Sequence, residues 1–149
     1  MMNLVARAQS IVRSSPDKVF EAFVNPERMK KFWFHRTDSG LKMGESVTWF
    51  IGDDDDAFGF TVQVLELKKD SLIHIKWGNE DTWTEVRWIL EETNTGDTKL
   101  TIEETGFTGS NDDIIVRALD STGGFNQVIV AAKALLEHNT VINIVTDHA

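Results

Sequence analysis

Apolar residues recur at helical spacing near both ends of the chain and at every second position through the middle. Residues 4–13 look extended. In the stretch "SSPDKVFEAFVNPERMKKFW", Val19, Phe20, Phe23 and Val24 fall on one side of a 3.6-residue repeat and predict a helix. Ser15 suits the N-cap, Pro16 the first helical position and Asp17 the positive end of the helix dipole. Asn25-Pro26-Glu27 repeats that start signal, so a second short helix follows the first. From Phe32 to Phe107 the period becomes two. Val47, Trp49 and Ile51 alternate with Ser46, Thr48 and Phe50, and Phe58, Phe60, Val62 and Val64 share a face. Ile73, Ile75 and Trp77 oppose His74 and Lys76, while Thr84, Val86, Trp88 and Leu90 oppose Glu85, Arg87, Ile89 and Glu91. After the turn "NTGD", Leu100 and Ile102 continue the apolar face. Such hairpin-linked strands predict an antiparallel meander of six or seven strands (about the usual sheet size) with one wet face.

After Gly106 the helical period returns. Ser110 and Asp113 form a capping pair, Asp112 to Asp120 reads as a short helix, and a long helix spans residues 122–138. Phe125, Val128, Ile129, Ala132, Leu135 and Leu136 make an apolar stripe, widened by Val130, Ala131 and Ala134 well past the ~100° of a surface helix. A curved sheet wrapped around the helix would bury that circumference. Gly123-Gly124 either lets the chain kink and approach the sheet closely, or ends the preceding helix as a C-cap.

Composition narrows the function more than the fold. The 149 residues fit one domain spanning 1–149, with 41% hydrophobic and 26% charged residues. A formal net charge of −9 opposes binding to nucleic acid or anionic lipid. With no cysteine, disulfide and thiol chemistry drop out. The N-terminus carries no apolar signal run and no segment reaches ~18 uninterrupted apolar residues, so a cytoplasmic location without membrane insertion is expected. Tyrosine is absent while Trp numbers five and Phe nine, so aromatic bulk comes mostly from rings without a hydroxyl.

The order strand, two short helices, meander, long C-terminal helix resembles the helix-grip proteins, which include the START-like and birch-pollen-allergen-like domains (the SRPBCC superfamily). "SPDKVFEAFVNPERMKKFWF" looks like the opening of the branch named after the activator of heat-shock-protein-90 ATPase, and "ALDSTGGFNQVIVAAKALLEHNTVINIVTDH" is similar to the closing helix and tail of its bacterial, polyketide-cyclase-like members. The resemblance implies an α+β helix-grip fold, an incomplete barrel gripping the last helix with an apolar cavity between. The eukaryotic activators carry an Asn-rich, Trp-containing motif near their N-terminus. "MMNLVARAQSIVRSSPDKVF" shows nothing similar, so the branch name is not taken as the function.

Polar chemistry is sparse. Of the histidines, His74 falls on the wet parity, His138 sits near a helix C-terminus, His148 lies in the tail, and His35 reads first as a surface-loop residue and is the one candidate to face a ligand. No His pair has metal-ligand spacing, and Asp53 to Asp56 lack the spacing and glycine of a calcium loop, so neither metal nor cofactor is expected. Glu91-Glu92 and Glu103-Glu104 are adjacent, and strand parity points adjacent residues to opposite faces, which precludes an acid/base dyad. One of Glu92 or Glu104 is a candidate for the cavity mouth. Aromatics are the stronger signal. Trp49, Trp77, Trp88 and Phe60 share the apolar parity with Ile75, Phe20, Phe23 and Trp33 can close one end, and Phe125, Ile129 and Ala132 face them from the helix. They form either an aromatic core or a pocket for a flat or greasy molecule. A non-catalytic carrier or sensor of a small apolar ligand is the expectation. A cyclase- or hydrolase-type enzyme in the same cavity and a chaperone-associated module are the alternatives, and a homodimer is compatible with each.

Overall fold

A computed structural model describes residues 2–34, 36–51 and 58–147. His35, His148 and the Asp53 to Asp56 run therefore lie outside the described residues. Strand β1 (Ala6–Val12) leads into α1 (Pro16–Val24) and the single-turn α2 (Pro26–Met29). Strands β2 (Arg36–Thr37), β3 (Ser46–Ile51), β4 (Phe58–Lys68), β5 (Leu72–Gly78), β6 (Thr84–Glu92) and β7 (Thr98–Thr105) follow, and α3 (Asn111–His138) closes the chain.

Among the described residues the strands form one open antiparallel sheet in the order β1-β7-β6-β5-β4-β3-β2. The meander of hairpins places β2 to β7 in sequence, and β1 returns to pair with β7, from Ala6 opposite Glu104 to Val12 opposite Thr98. The pairing of β4 with β5 slips between Val64 and Glu66. A bulge of this kind bends and twists its strand, which helps the sheet curve around what it encloses.

Period two is visible in the burial. Val47, Trp49, Val62, Val64, Ile73, Ile75, Val86, Trp88, Leu100 and Ile102 are all buried. The opposite face carries polar pairs, with Arg7 against Glu103 at 3.0 Å and His74 against Glu85 at 2.8 Å. At α2, Asn25 accepts from the Glu27 N–H at 3.0 Å. Ser15 occupies the cap position of α1, but its hydroxyl donates to Asp17 and makes no capping bond, a departure from the expected cap.

The C-terminal segment also departs from expectation. The predicted short helix and long helix are one continuous helix of 28 residues, neither kinked into two elements nor capped at the glycines. It starts at the Ser110/Asp113 capping box and ends at Asn139, whose φ of 50° is left-handed. Each half is held by its own packing. Ile114 and Ala118 pack with Ala6 and Phe107, and Phe125, Val128, Ile129, Ala131, Ala132 and Leu135 join the main core. Packing on both sides carries the helix through Gly123 and Gly124, where intrinsic propensity is poorest.

Candidate functional site

Between the helix and one end of the sheet lies a cavity of about 890 Å³. Its aromatic wall is Trp33 and Phe34 after α2, Phe60 on β4, Trp77 on β5 and Phe125 on α3. Val145 and Thr146 contribute from the tail beyond the helix. The helix side is formed by the turns from Leu119 to Val128, including Gly123 and Gly124. A Cβ built on either glycine meets nothing within 4 Å, so these residues do not bring the helix close to the sheet. They leave the cavity wall thin, which corrects the expectation of close approach.

Trp77 and Phe125 lie nearly parallel, 12° between planes with centroids 6.1 Å apart. Trp33 is the hub of the ring cluster, with centroids 4.7 Å from Phe34, 5.4 Å from Trp49, 6.1 Å from Trp77 and 5.9 Å from Trp88. Offset and edge-to-face packing of this sort fixes each ring more firmly than apolar burial alone. The wall is therefore stiff.

Of the residues singled out from sequence, Trp33, Phe60, Trp77 and Phe125 come together on the lining. The other seven do not line it. Phe23, Trp49, Ile75, Trp88, Ile129 and Ala132 are buried in the core, and Phe20 packs half-buried against it. Parity gives the face of a side chain but not its height along the sheet. Parity also leaves out what lies on top: Phe23 of α1 packs on Trp88 at 5.8 Å, and Trp49, paired with Phe60 across the strands, lies against Trp33 and Phe34 at 5.4 and 4.8 Å. Sequence reasoning missed Phe34, the glycines as lining residues, and the tail. The signal for the tail was its apolar pair Ile144-Val145, both packed against the core.

Asp120, Ser121, Gln127 and Thr146 are the polar residues on the cavity lining, and one buried carboxylate, Glu104, lies behind Trp77 and Phe60 in a small adjoining pocket. Glu104 is buried at 4% exposure, next to Trp77 and Thr84, while Glu91, Glu92 and Glu103 stay on the surface or the outer face. Among the described residues no group of three or more His, Cys, Asp or Glu could hold a metal ion, and no helix is long and apolar enough to cross a membrane.

The family model of the activator of Hsp90 ATPase homolog 1-like proteins matches residues 13–137. The chain belongs to this family. No curated protein matches it at a significant level. Solved structures share the fold across nearly the whole chain. One is a protein from Staphylococcus saprophyticus, 24% identical, with a TM-score of 0.77 over 93% of this chain and 96% of that one. DynU16, a protein of the dynemicin biosynthetic locus, is 17% identical with a TM-score of 0.76, over 92% of this chain and 48% of its own. The Aha1 dimer from Colwellia psychrerythraea is 15% identical with a TM-score of 0.75, over 92% and 98%. The helix-grip architecture expected from the order of elements is thus that of the family.

Proposed function

We propose that the chain binds a small, flat apolar molecule in the cavity between sheet and helix, as a carrier or sensor that performs no reaction on it. The carrying observation is the pair Gly123-Gly124. Each costs a helix interior roughly 1 kcal/mol relative to Ala, and alanine would fit, because a Cβ there meets open space. Glycine at both positions makes sense where the space itself is needed. The stiff aromatic wall suits a planar ligand, and the apolar surface that would be covered supplies about 25 cal/mol per Å² before the costs of association.

The test is a titration with N-phenyl-1-naphthylamine, a neutral aromatic probe whose emission rises on leaving water. The wild type is expected to bind it. Gly124→Trp is expected to fill the cavity and lose binding while melting at an unchanged temperature. A wild type that binds no apolar probe would end this reading.

Self-association is a second reading with its own support. Ile115, Val116 and Leu119 leave an apolar strip exposed on α3, Leu119 at 67%, and the Colwellia relative is described as a dimer. Sedimentation of the wild type against Leu119→Glu is expected to show a dimer that the charge dissociates, and a monomer in both would dismiss it.

A further inference from the structure

Glu104 is a buried carboxylate with no cationic partner within ion-pair distance among the described residues. It follows Leu100 and Ile102 on the inward face of β7, so the period of two that buries those residues buries it as well. One of its oxygens is firmly held. Oε2 accepts from the Trp77 indole N–H at 3.0 Å and from the Thr84 hydroxyl. Oε1 is closed off from solvent and has no hydrogen-bond partner. Leaving a carboxylate oxygen unpaired in the interior is unfavourable unless something else supplies the donor.

The surroundings indicate where a donor would come from. Glu104 lines a small pocket of about 130 Å³ with Thr82, Thr84 and Arg117. Phe60 and Trp77 wall both this pocket and the large cavity. The Arg117 guanidinium is turned to backbone carbonyls, donating to Thr82 O at 3.2 Å and Thr108 O at 3.4 Å. A ligand lying against Trp77 and Phe60 has Asp120, Ser121, Gln127 and Thr146 around the cavity itself and Glu104 beyond the two rings, and a carboxylate accepts hydrogen bonds without offering one.

We propose that Glu104 is the specificity-determining acceptor of the cavity, and that its ligands are flat aromatic molecules carrying a hydroxyl or amine donor at the end that reaches past Trp77 and Phe60. This inference rests on the cavity reading above and names the ligand class for it. Because Trp77 and Thr84 hold Oε2, the carboxylate is fixed in advance, and a donor reaches the closed-off Oε1 once the side chains around it shift.

The experiment uses two probes on the full chain, 2-naphthol and 2-methoxynaphthalene, each competing against N-phenyl-1-naphthylamine. They share a ring system, and only the first can donate. In the wild type 2-naphthol is expected to bind about tenfold more tightly, the scale of one hydrogen bond to a charged acceptor. Glu104→Gln should reverse the polarity of the site. The Trp77 N–H and the Thr84 O–H both require an acceptor, so the amide oxygen takes the place of Oε2 and the NH₂ that of Oε1. The ratio is then expected to fall to one or below. Equal affinities in the wild type, or a preference for 2-naphthol unchanged in Glu104→Gln, would overturn the role of Glu104 and leave the cavity standing. If Glu104→Gln does not fold, Asp120→Asn decides: a preference for 2-naphthol that survives it supports Glu104, and one that disappears overturns the role of Glu104. Failure of the wild type to bind N-phenyl-1-naphthylamine would remove the cavity reading and this inference together.

Discussion

Two consecutive stretches of α3 share one helix and meet opposite surroundings. From Leu119 to Gly124 the helix borders open space, with both glycines exposed. From Phe125 to Leu135 its inward side is buried: Phe125 and Val128 form the cavity's far edge, and Ile129, Ala132 and Leu135 lie in the packed core. The helical period runs through both, so periodicity cannot distinguish them. What differs is side-chain volume on the helix and what the sheet and α1–α2 put across from it. One stretch contributes stability and the other contributes space, and substitutions should sort accordingly.

The largest effect is expected at the border. Phe125→Ala removes a buried ring stacked on Trp77 and should cost about 3–5 kcal/mol in urea unfolding. A loss below about 1 kcal/mol would mean that the packed stretch begins later than Phe125. Next comes Ala132→Trp, which must overpack a filled site and should cost about 1–3 kcal/mol or more. Gly124→Trp, eight positions earlier, should cost almost nothing. Equal costs for the two tryptophans would erase the comparison.

Gly123→Ala and Gly124→Ala sharpen it from the other side. Both positions are helical and open, so each is expected to raise stability by roughly 1 kcal/mol, read as a higher melting temperature. Destabilisation at either would show that the space is not there.

The smallest effect concerns the end of the packed stretch. Burial pushes the Glu137 carboxyl up, but the Lys133 ammonium at 2.9 Å and the Arg13 N–H at 3.1 Å outweigh it and hold the group below the ordinary glutamate value of 4.5. A lowered folded value means that its contribution is present above that ordinary value and is lost as pH falls through the folded one. Glu137→Gln should therefore be less stable than the wild type at neutral pH, and the gap should close in acid, below the ordinary value. A gap independent of pH would assign the effect to shape rather than charge.

How much of this was legible in the sequence depends on the element. Strand parity placed Trp49, Trp77 and Trp88 inward, and the Ser110/Asp113 pair located the start of α3, because both signals are local. Parity also set Glu104 on the same face as Leu100 and Ile102. It did not separate Glu104 from Glu92, which shares the parity of Leu90 yet ends exposed at the tip of its strand. Height along the sheet decides that, and it follows from pairing across the whole meander. Parity is equally blind to what covers a ring: Trp33 and Phe34 pack on Trp49 and Phe23 packs on Trp88, so both looked equivalent to Trp77 as lining residues. Gly123-Gly124 was visible as unusual, but its meaning depended on what stood opposite, which no local signal carries.

The most direct test of the central claim uses the five tryptophans as reporters. In a ¹H–¹⁵N spectrum each indole N–H gives one peak, so titration with N-phenyl-1-naphthylamine reads every ring separately. The cavity lining requires the largest shifts at Trp33 and Trp77, smaller ones at Trp49 and Trp88 in the core behind them, and none at Trp83, which stacks under Lys76 with the ammonium 5.1 Å from its ring centroid. Largest shifts at Trp83, or no indole shift on saturation, would contradict an account in which the space beside Gly123-Gly124 is the binding site.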